Sequence, residues 1–394
     1  MQSIHQLPAP GADALAHSDV LLAEIRSHIA SEGGWISFAR YMELALYTPG
    51  LGYYSGGSQK FGADGDFITA PEITPLFGQA LARQVAQVMA ASRAEVIEVG
   101  AGSGVLAVDL LRALAELEAL PTRYAILELS GELRARQHAT LEREAPQFLD
   151  RVEWLDRLPE QFSGCVVANE VLDVMPVHQL VWRAEGIFER GVVAPVEGGL
   201  AHADRPATGA VLAAAQALAV QVPSEGEYEY VSELCLASRA WVSEWAQRLQ
   251  TGALLLIDYG YPQAEYYLPS RSTGTLQCYY RHRTHTALLH WPGLNDITSF
   301  VDFTATADAA FAAGLQVLGY TSQASFLQNC GLLELLLRRG EGRSESPDYI
   351  RAARAAQRLI APHEMGELFK VMALGRGMPS ALLGFGRGDR LHVL

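Results

Sequence analysis

The stretch EVGAGSGVLA, Glu98–Ala107, decides the fold. It closes the short apolar run AEVIEV and opens VLAVDLLRALAEL, whose apolar residues recur at helical spacing. A strand, a tight turn and a helix in that order begin a strand–helix–strand unit. Gly100, Gly102 and Gly104 alternate through the turn. A chain gives up side chains in this way where its backbone must lie close to something.

The candidate ligands divide on two residues. A dinucleotide turn reads GxGxxG, but here the third glycine comes one residue early and position 105 is Val. Glu98, at the strand end, is ill placed beside a pyrophosphate but suits a cofactor that carries positive charge. S-adenosylmethionine has a sulfonium and an ammonium and no phosphate. Glu128 ends the next strand, RYAILEL, where an acid accepts hydrogen bonds from both ribose hydroxyls of either cofactor class. The pattern therefore favours S-adenosylmethionine over a nicotinamide cofactor. The bland alternative is a tight strand-to-helix turn with no ligand.

Working outward, strands and helices alternate. RVEWL, GCVVANE, GALLLIDYG, LQVLGYTSQ and FKVMALGRG read as strands, and LRARQHATLER reads as a helix. The prediction is an α/β fold with a mostly parallel sheet of about seven strands, covered on both faces. Upstream, Ser18-Asp19 and Ser37 are expected to cap two helices, and Thr74 a third with Pro75 in its first position. Between Val177 and about Gln250 the rhythm breaks. HQLVWRAEGIFERGVVAPVEGGL reads as short strands, and SELCLASRAWVSEWAQRL as a helix leading into GALLLIDYG. The expected division is an N-terminal helical extension with a cofactor-covering loop over 1–92, then a catalytic domain over 93–394 with an insertion at about 178–230.

Composition sets bounds. The 394 residues carry 49% hydrophobic and 19% charged side chains, an ordinary globular balance, and a formal charge of −14. That charge argues against a nucleic-acid partner and is compatible with a basic protein partner. Four scattered cysteines with no CxxC pair suggest reduced thiols and neither a disulfide framework nor a metal site. No apolar run reaches membrane-spanning length. The first twenty residues show no signal or transit character, so a cytoplasmic location is expected.

The fourth strand ends in VVANEVLDVMPV, which puts Asn169, Glu170 and Asp173 after an apolar run. Such a strand tip lies at the switch point of the sheet. Carboxylates there can hold a cationic or amine acceptor, most of all a guanidinium, which docks bidentately. Glu170 and Asp173 are the candidate catalytic residues. The competing reading of Glu170 is an acid pairing with a helix N-terminus. In GDFITAPEIT, the residues Gly65, Asp66, Thr69, Pro71 and Glu72 form either a polar cover for the cofactor or a plain capped loop. Asp258 ends a strand and is a candidate for the acceptor pocket. Asp296 and Asp302 read as helix caps, and RHRTH, with His282 and His285, as a solvated loop.

Together ISFARYMELALYTPGLGYYS, FGADGDFITAPEITPLFGQALA, EVGAGSGVLAVDLL, VVANEVLDVMPVHQ, LLLIDYG, GTLQCYYRHRTH and DITSFVDFT resemble the MidA-type methyltransferases. The resemblance runs from about Ile36 to about Gly375, and DFITAPEIT and NEVLD are its most specific blocks. It implies a Rossmann-like class I methyltransferase domain. It implies S-adenosylmethionine held by Gly100, Gly102 and Gly104, by Glu98, Glu128 and Leu129, and by Thr69, Pro71 and Glu72, with Asn169 and Glu170 at the methyl-donor end. It also implies methylation of arginine on a protein partner. A mitochondrial member acts on a respiratory-complex subunit, and a bacterial member need not share that substrate. Members often read D-[IL]-T-A-H-V-D-F where this chain has Ser299 and Phe300, a difference expected to bear on the acceptor and to leave the cofactor site intact. The expected activity is thus S-adenosylmethionine-dependent methyl transfer. Its alternatives are a non-catalytic assembly factor that binds the cofactor, or a small-molecule methyltransferase.

Overall fold

The computed structural model describes residues 7–56, 68–218, 229–340, 346–379 and 381–394. The chain divides into two compact units, each assembled from separate segments. One takes residues 1–67, 172–240 and 263–300, and the other 68–171, 241–262 and 301–394. This differs from a consecutive split near residue 92. The helix Leu76–Ala91 belongs with the sheet because Leu76, Phe77, Ala80, Leu81, Val85 and Val88 are wholly buried in one core with Leu106, Leu110 and Leu114 of the helix Val105–Glu116. A linear reading marks composition changes, whereas burial joins segments that are far apart in the chain.

The unit that contains the glycine turn is built on one sheet. Its strands are β1 (Glu95–Val99), β2 (Arg123–Leu127), β3 (Val152–Leu155), β4 (Phe162–Asn169), β5 (Leu249–Tyr261), β6 (Gln316–Ser322) and β7 (Phe369–Arg376). Their order is β6-β7-β5-β4-β1-β2-β3, and a two-residue strand, Val301–Asp302, pairs with the end of β5. β1 to β5 run parallel, and β7 runs antiparallel to both β5 and β6. The chain leaves β1 toward β2 and β3, then returns to lay β4 on the other side of β1. The order reverses between β1 and β4, and in open α/β sheets ligands bind at the carboxyl ends beside such a reversal. The central strands β4 and β5 are buried along most of their length because both faces of the sheet are covered.

The other unit has a five-stranded antiparallel sheet. Gly186–Val193 lies between His178–Arg183 and Ile36–Ser37 and also pairs with Ala201–Pro206, while Tyr230–Leu234 follows on the far side of His178–Arg183. A three-stranded sheet joins Gln277–Tyr280 to Arg283–His285 and Asp296–Thr298. The helices Ala12–Ser31 and Phe38–Tyr47 bury Leu21, Ile25, Ile29, Phe38, Tyr41 and Met42 in a core of their own with Val177 and Val192.

Several local expectations change. Ser37 caps its helix as read, its hydroxyl accepting from the Arg40 N–H. Ser18 is no cap: the first helix already begins at Ala12, and the buried Ser18 hydroxyl donates to the Pro292 carbonyl. Pro75, not Thr74, takes the cap position of Leu76–Ala91, although the Thr74 hydroxyl still accepts from the Leu76 N–H. Ser232, Glu233 and Leu234 belong to a strand, and the helix begins at Leu236. Asp302 caps Phe303–Ala312, whereas Asp296 sits in a strand. His285 is buried, hydrogen-bonded to Asn295 and to the Ala287 N–H, so that part of RHRTH is not a solvated loop. Strand pairing decided the cases of Ser232–Leu234, Asp296 and His285. Among the described residues no helix is long and apolar enough to cross a membrane.

Candidate functional site

The carboxyl ends of β2, β1, β4 and β5 stand side by side. Val99 pairs with Leu127 on one side and Ala168 on the other, and Asn169 pairs with Ile257. Glu128, Gly100, Asn169, Glu170 and Asp258 therefore follow one another along a single edge of the sheet.

At the end of β1 the chain turns through three left-handed residues, Gly100 (φ 64°), Gly102 (φ 53°) and Gly104 (φ 85°). That conformation costs a residue with a Cβ roughly 1–2 kcal/mol. Gly104 is the cap of Val105–Glu116, and a Cβ there would meet the Gln137 backbone at 3.1 Å. Glu98 lies inside the sheet and not on the turn. Its carboxylate is buried and accepts the Tyr124 hydroxyl at 2.5 Å. Burial pushes its pKa up to about 7, and the Tyr124 hydrogen bond opposes the rise.

Glu128 is also buried. Its Oε1 accepts from the Ser130 N–H at 2.9 Å and its Oε2 from Gln137 Nε2 at 3.0 Å. Burial raises its pKa, and these hydrogen bonds pull against that rise. Leu129 beside it is 79% exposed, an unusual position for a leucine at a strand end. Gln137, which the sequence reading missed, is wholly buried and touches both Glu128 and the glycine turn. It belongs to a helix that reads as mere sheet cover, and no spacing rule singles it out.

Thr69 is the cap residue of the short helix Ala70–Ile73, in which Pro71 is buried. Glu72 accepts a hydrogen bond from the Ser103 hydroxyl, which ties this helix to the middle of the glycine turn. Gly65 and Asp66 lie outside the described residues.

Asn169 and Glu170 stand at the end of β4. Asn169 Nδ2 donates to Glu170 Oε1 at 3.1 Å, and Asn169 Oδ1 is buried with no hydrogen-bond partner among the described residues. Glu170 has φ 54°, a left-handed backbone that few residues other than glycine adopt. Two hydrogen bonds hold it there. The Glu170 N–H donates to the Ile257 carbonyl at 2.8 Å, and the next N–H, of Val171, donates to Asp258 Oδ2 at 3.2 Å. Asp258 is fully buried, and its Oδ1 accepts from its neighbour Tyr259 N–H. It braces the loop and does not line an open pocket. No helix begins at Glu170, since residues 171–177 form turns, so the helix-dipole reading of this acid has no basis.

Asp173 falls in the other unit. It is buried, and its carbonyl accepts from the Ser299 N–H. Nearby, the Tyr54 hydroxyl donates to Asp296 at 3.0 Å, and Tyr47 and Tyr54 stack with ring centres 5.7 Å apart. Burial, then Asp296, then the neighbouring tyrosines and Asp173 push the Tyr54 pKa well up. The Phe300 N–H donates to the Thr275 hydroxyl.

A parallel sheet that reverses between β1 and β4 and admits β7 antiparallel between β5 and β6 is the sheet of class I methyltransferases. The family model for S-adenosyl-L-methionine-dependent methyltransferases matches residues 80–321, and the chain belongs to that family. S-adenosylmethionine is its cofactor and methyl transfer its chemistry. Among solved structures it is similar to a superfamily member from Burkholderia thailandensis bound to S-adenosyl-homocysteine. The two are 50% identical, with TM-score 0.93, over 99% of this chain and 100% of that one. It is also similar to the mitochondrial protein arginine methyltransferases NDUFAF7. Identity is 30% to that of Danio rerio, over 89% of this chain and 86% of the relative, and 28% to the Drosophila melanogaster homolog, over 97% and 91%.

Proposed function

We propose that this protein transfers a methyl group from S-adenosylmethionine to an arginine nitrogen of a protein partner, with Glu170 as the residue that holds the acceptor. The observation that carries the reading is the strained Glu170 backbone. A left-handed glutamate is unfavourable by roughly 1–3 kcal/mol and persists where surrounding structure enforces it, commonly at functional sites. Here the Ile257 carbonyl and Asp258 enforce it.

The groups at the sheet edge suit the cofactor. The glycine turn gives backbone access for its amino-acid end, and the buried Glu98 inside the sheet favours positive charge nearby. The Glu128 carboxylate, with up to four acceptor sites, keeps capacity for a ribose hydroxyl. Leu129 offers an apolar surface to the base, and the Thr69-Pro71-Glu72 helix lies against the turn through Ser103. The cofactor supplies a methyl group on a cationic sulfur. The chain supplies position: the unpartnered Asn169 Oδ1 and the Glu170 carboxylate accept N–H groups and aim the acceptor nitrogen for in-line displacement, where alignment accounts for much of the rate. Arginine is favoured over other acceptors because its relatives are named for it and because a guanidinium pairs well with carboxylate.

The test uses purified protein and methyl-labelled S-adenosylmethionine in lysate from cells that lack this protein, followed by hydrolysis of the labelled product. Methylarginine in one discrete protein is expected. Label confined to small molecules would reject the protein acceptor. Glu170→Gln should lower turnover by about a hundredfold or more while cofactor affinity changes less than threefold. Wild-type turnover in that variant would remove Glu170 from the mechanism.

A further inference from the structure

Gln137 is surrounded in a way that leaves its amide no freedom. Trp154 Nε1, which can only donate, lies 3.0 Å from Gln137 Oε1. The Glu128 carboxylate and the Gly102 carbonyl, which can only accept, lie 3.0 and 3.2 Å from Gln137 Nε2. The three partners fix which end of the amide is oxygen. Both amide hydrogens are used, one on the acid at the end of β2 and one on the turn after β1. Gln137 itself is wholly buried, while Gly102 and Trp154 are half-buried. The helix Gly131–Glu144 also brings the Gln137 backbone against Gly104, so the same residue packs on the turn it hydrogen-bonds.

From this geometry we infer that Gln137 is a positioning residue for the cofactor: locked by Trp154 and anchored on the Gly102 carbonyl, it holds the Glu128 carboxylate in place for the ribose hydroxyls. The inference rests on the assignment of Glu128 to the ribose. Its logic is local. The Ser130 N–H holds one Glu128 oxygen and Gln137 holds the other, so the carboxylate is fixed at both of its oxygens. Without Gln137 the buried acid loses a donor, and the turn loses its tie to β2 through the side chain.

The experiment is calorimetric binding of two ligands, S-adenosyl-homocysteine and its analogue lacking both ribose hydroxyls, to the wild type, Gln137→Met, Glu128→Gln and the double variant. Gln137→Met keeps the shape and removes both donors. It should weaken S-adenosyl-homocysteine by about tenfold or more, the ordinary worth of a hydrogen bond to a charged group, and weaken the analogue by less than threefold. The double variant should bind little worse than Glu128→Gln alone, because Gln137 acts through that acid. Equal losses on both ligands, or additive losses in the double variant, would reduce Gln137 to a packing residue and overturn the inference. Glu128→Gln separates the two claims. Unchanged affinity in that variant would overturn the ribose assignment and, with it, the inference; impaired Glu128→Gln beside wild-type Gln137→Met would overturn the inference alone. If Gln137→Met does not fold, Trp154→Phe carries the test. It removes the indole N–H that locks the amide, together with part of the ring beside His138, and should give a smaller loss, again confined to the hydroxyl-bearing ligand; an equal effect on both ligands would count against the inference.

Discussion

Among single residues, two buried acids carry the same shift for the same reason. Glu98 and Asp109 are both held at about pH 7 by burial, Asp109 despite the opposing charge of Arg112. Glu98 lies inside the sheet against Tyr124, whereas Asp109 is packed against Gly78 in the core between two helices. Their ordinary values lie near 4, so the folded state binds more protons than the unfolded state between roughly pH 4 and 7. The stability they give as neutral acids is present below their unfolded pKa and lost as pH rises through about 7. Glu98→Gln keeps an acceptor for Tyr124 and removes the charge. It should flatten the fall in Tm between pH 5 and 8, and Asp109→Asn should do the same independently. Thermal melts across that range check this; an unchanged slope in Glu98→Gln would mean that the acid does not titrate there. The Glu170 carboxylate was legible from its place after an apolar strand. Its left-handed backbone was not, because that depends on Ile257 and Asp258, nearly ninety positions away.

At the scale of elements, the strand–turn–helix at β1 is the most demanding piece of the chain. Gly104 must be left-handed, and its missing side chain makes room for the Gln137 backbone. Gly104→Ala should destabilise the fold by about 1–2 kcal/mol from backbone strain alone, and should weaken cofactor binding because the turn must shift. Gly131→Ala is its control, for a Cβ there meets nothing within 4 Å, and its effect should stay within about 0.5 kcal/mol. Denaturant melts and cofactor titration of the two variants make the comparison. The glycines and the flanking periodicities announced this element in full. The strand Tyr230–Leu234 was hidden, because Ser232 and Glu233 look helical or exposed in isolation. They are buried through pairing with His178–Arg183, and Glu233 accepts from Thr275 and Tyr266.

At the scale of the whole molecule, the chain relies on its cores and not on covalent staples. All four cysteines are free. Cys165, Cys278 and Cys330 are buried, and burial raises each thiol, that of Cys330 to about 12. A raised thiol is a poor nucleophile. The native protein should therefore react slowly with a thiol reagent, at Cys235 before the others, and should show four fast thiols only after unfolding. Reductant should leave Tm unchanged. Fast reaction of several thiols in the native state would contradict the burial described. Two features of organisation follow from burial as well. The helix Leu76–Ala91 joins the sheet unit, and the segment 263–300 joins the unit of the N-terminal helices.

Local pattern was enough to read the strands and helices of the sheet, the glycine turn, and the acids at the ends of β2 and β4. These depend on local periodicity and on turn chemistry, which act over a few residues. Tertiary structure decided the rest. It placed Asp173 in a different unit from Glu170, turned Asp258 from a pocket residue into a brace, and brought Gln137 between Glu128 and Gly102. Each of those outcomes depends on which distant segment fills the space beside a side chain, and a buried polar group takes its role from the partners that burial supplies.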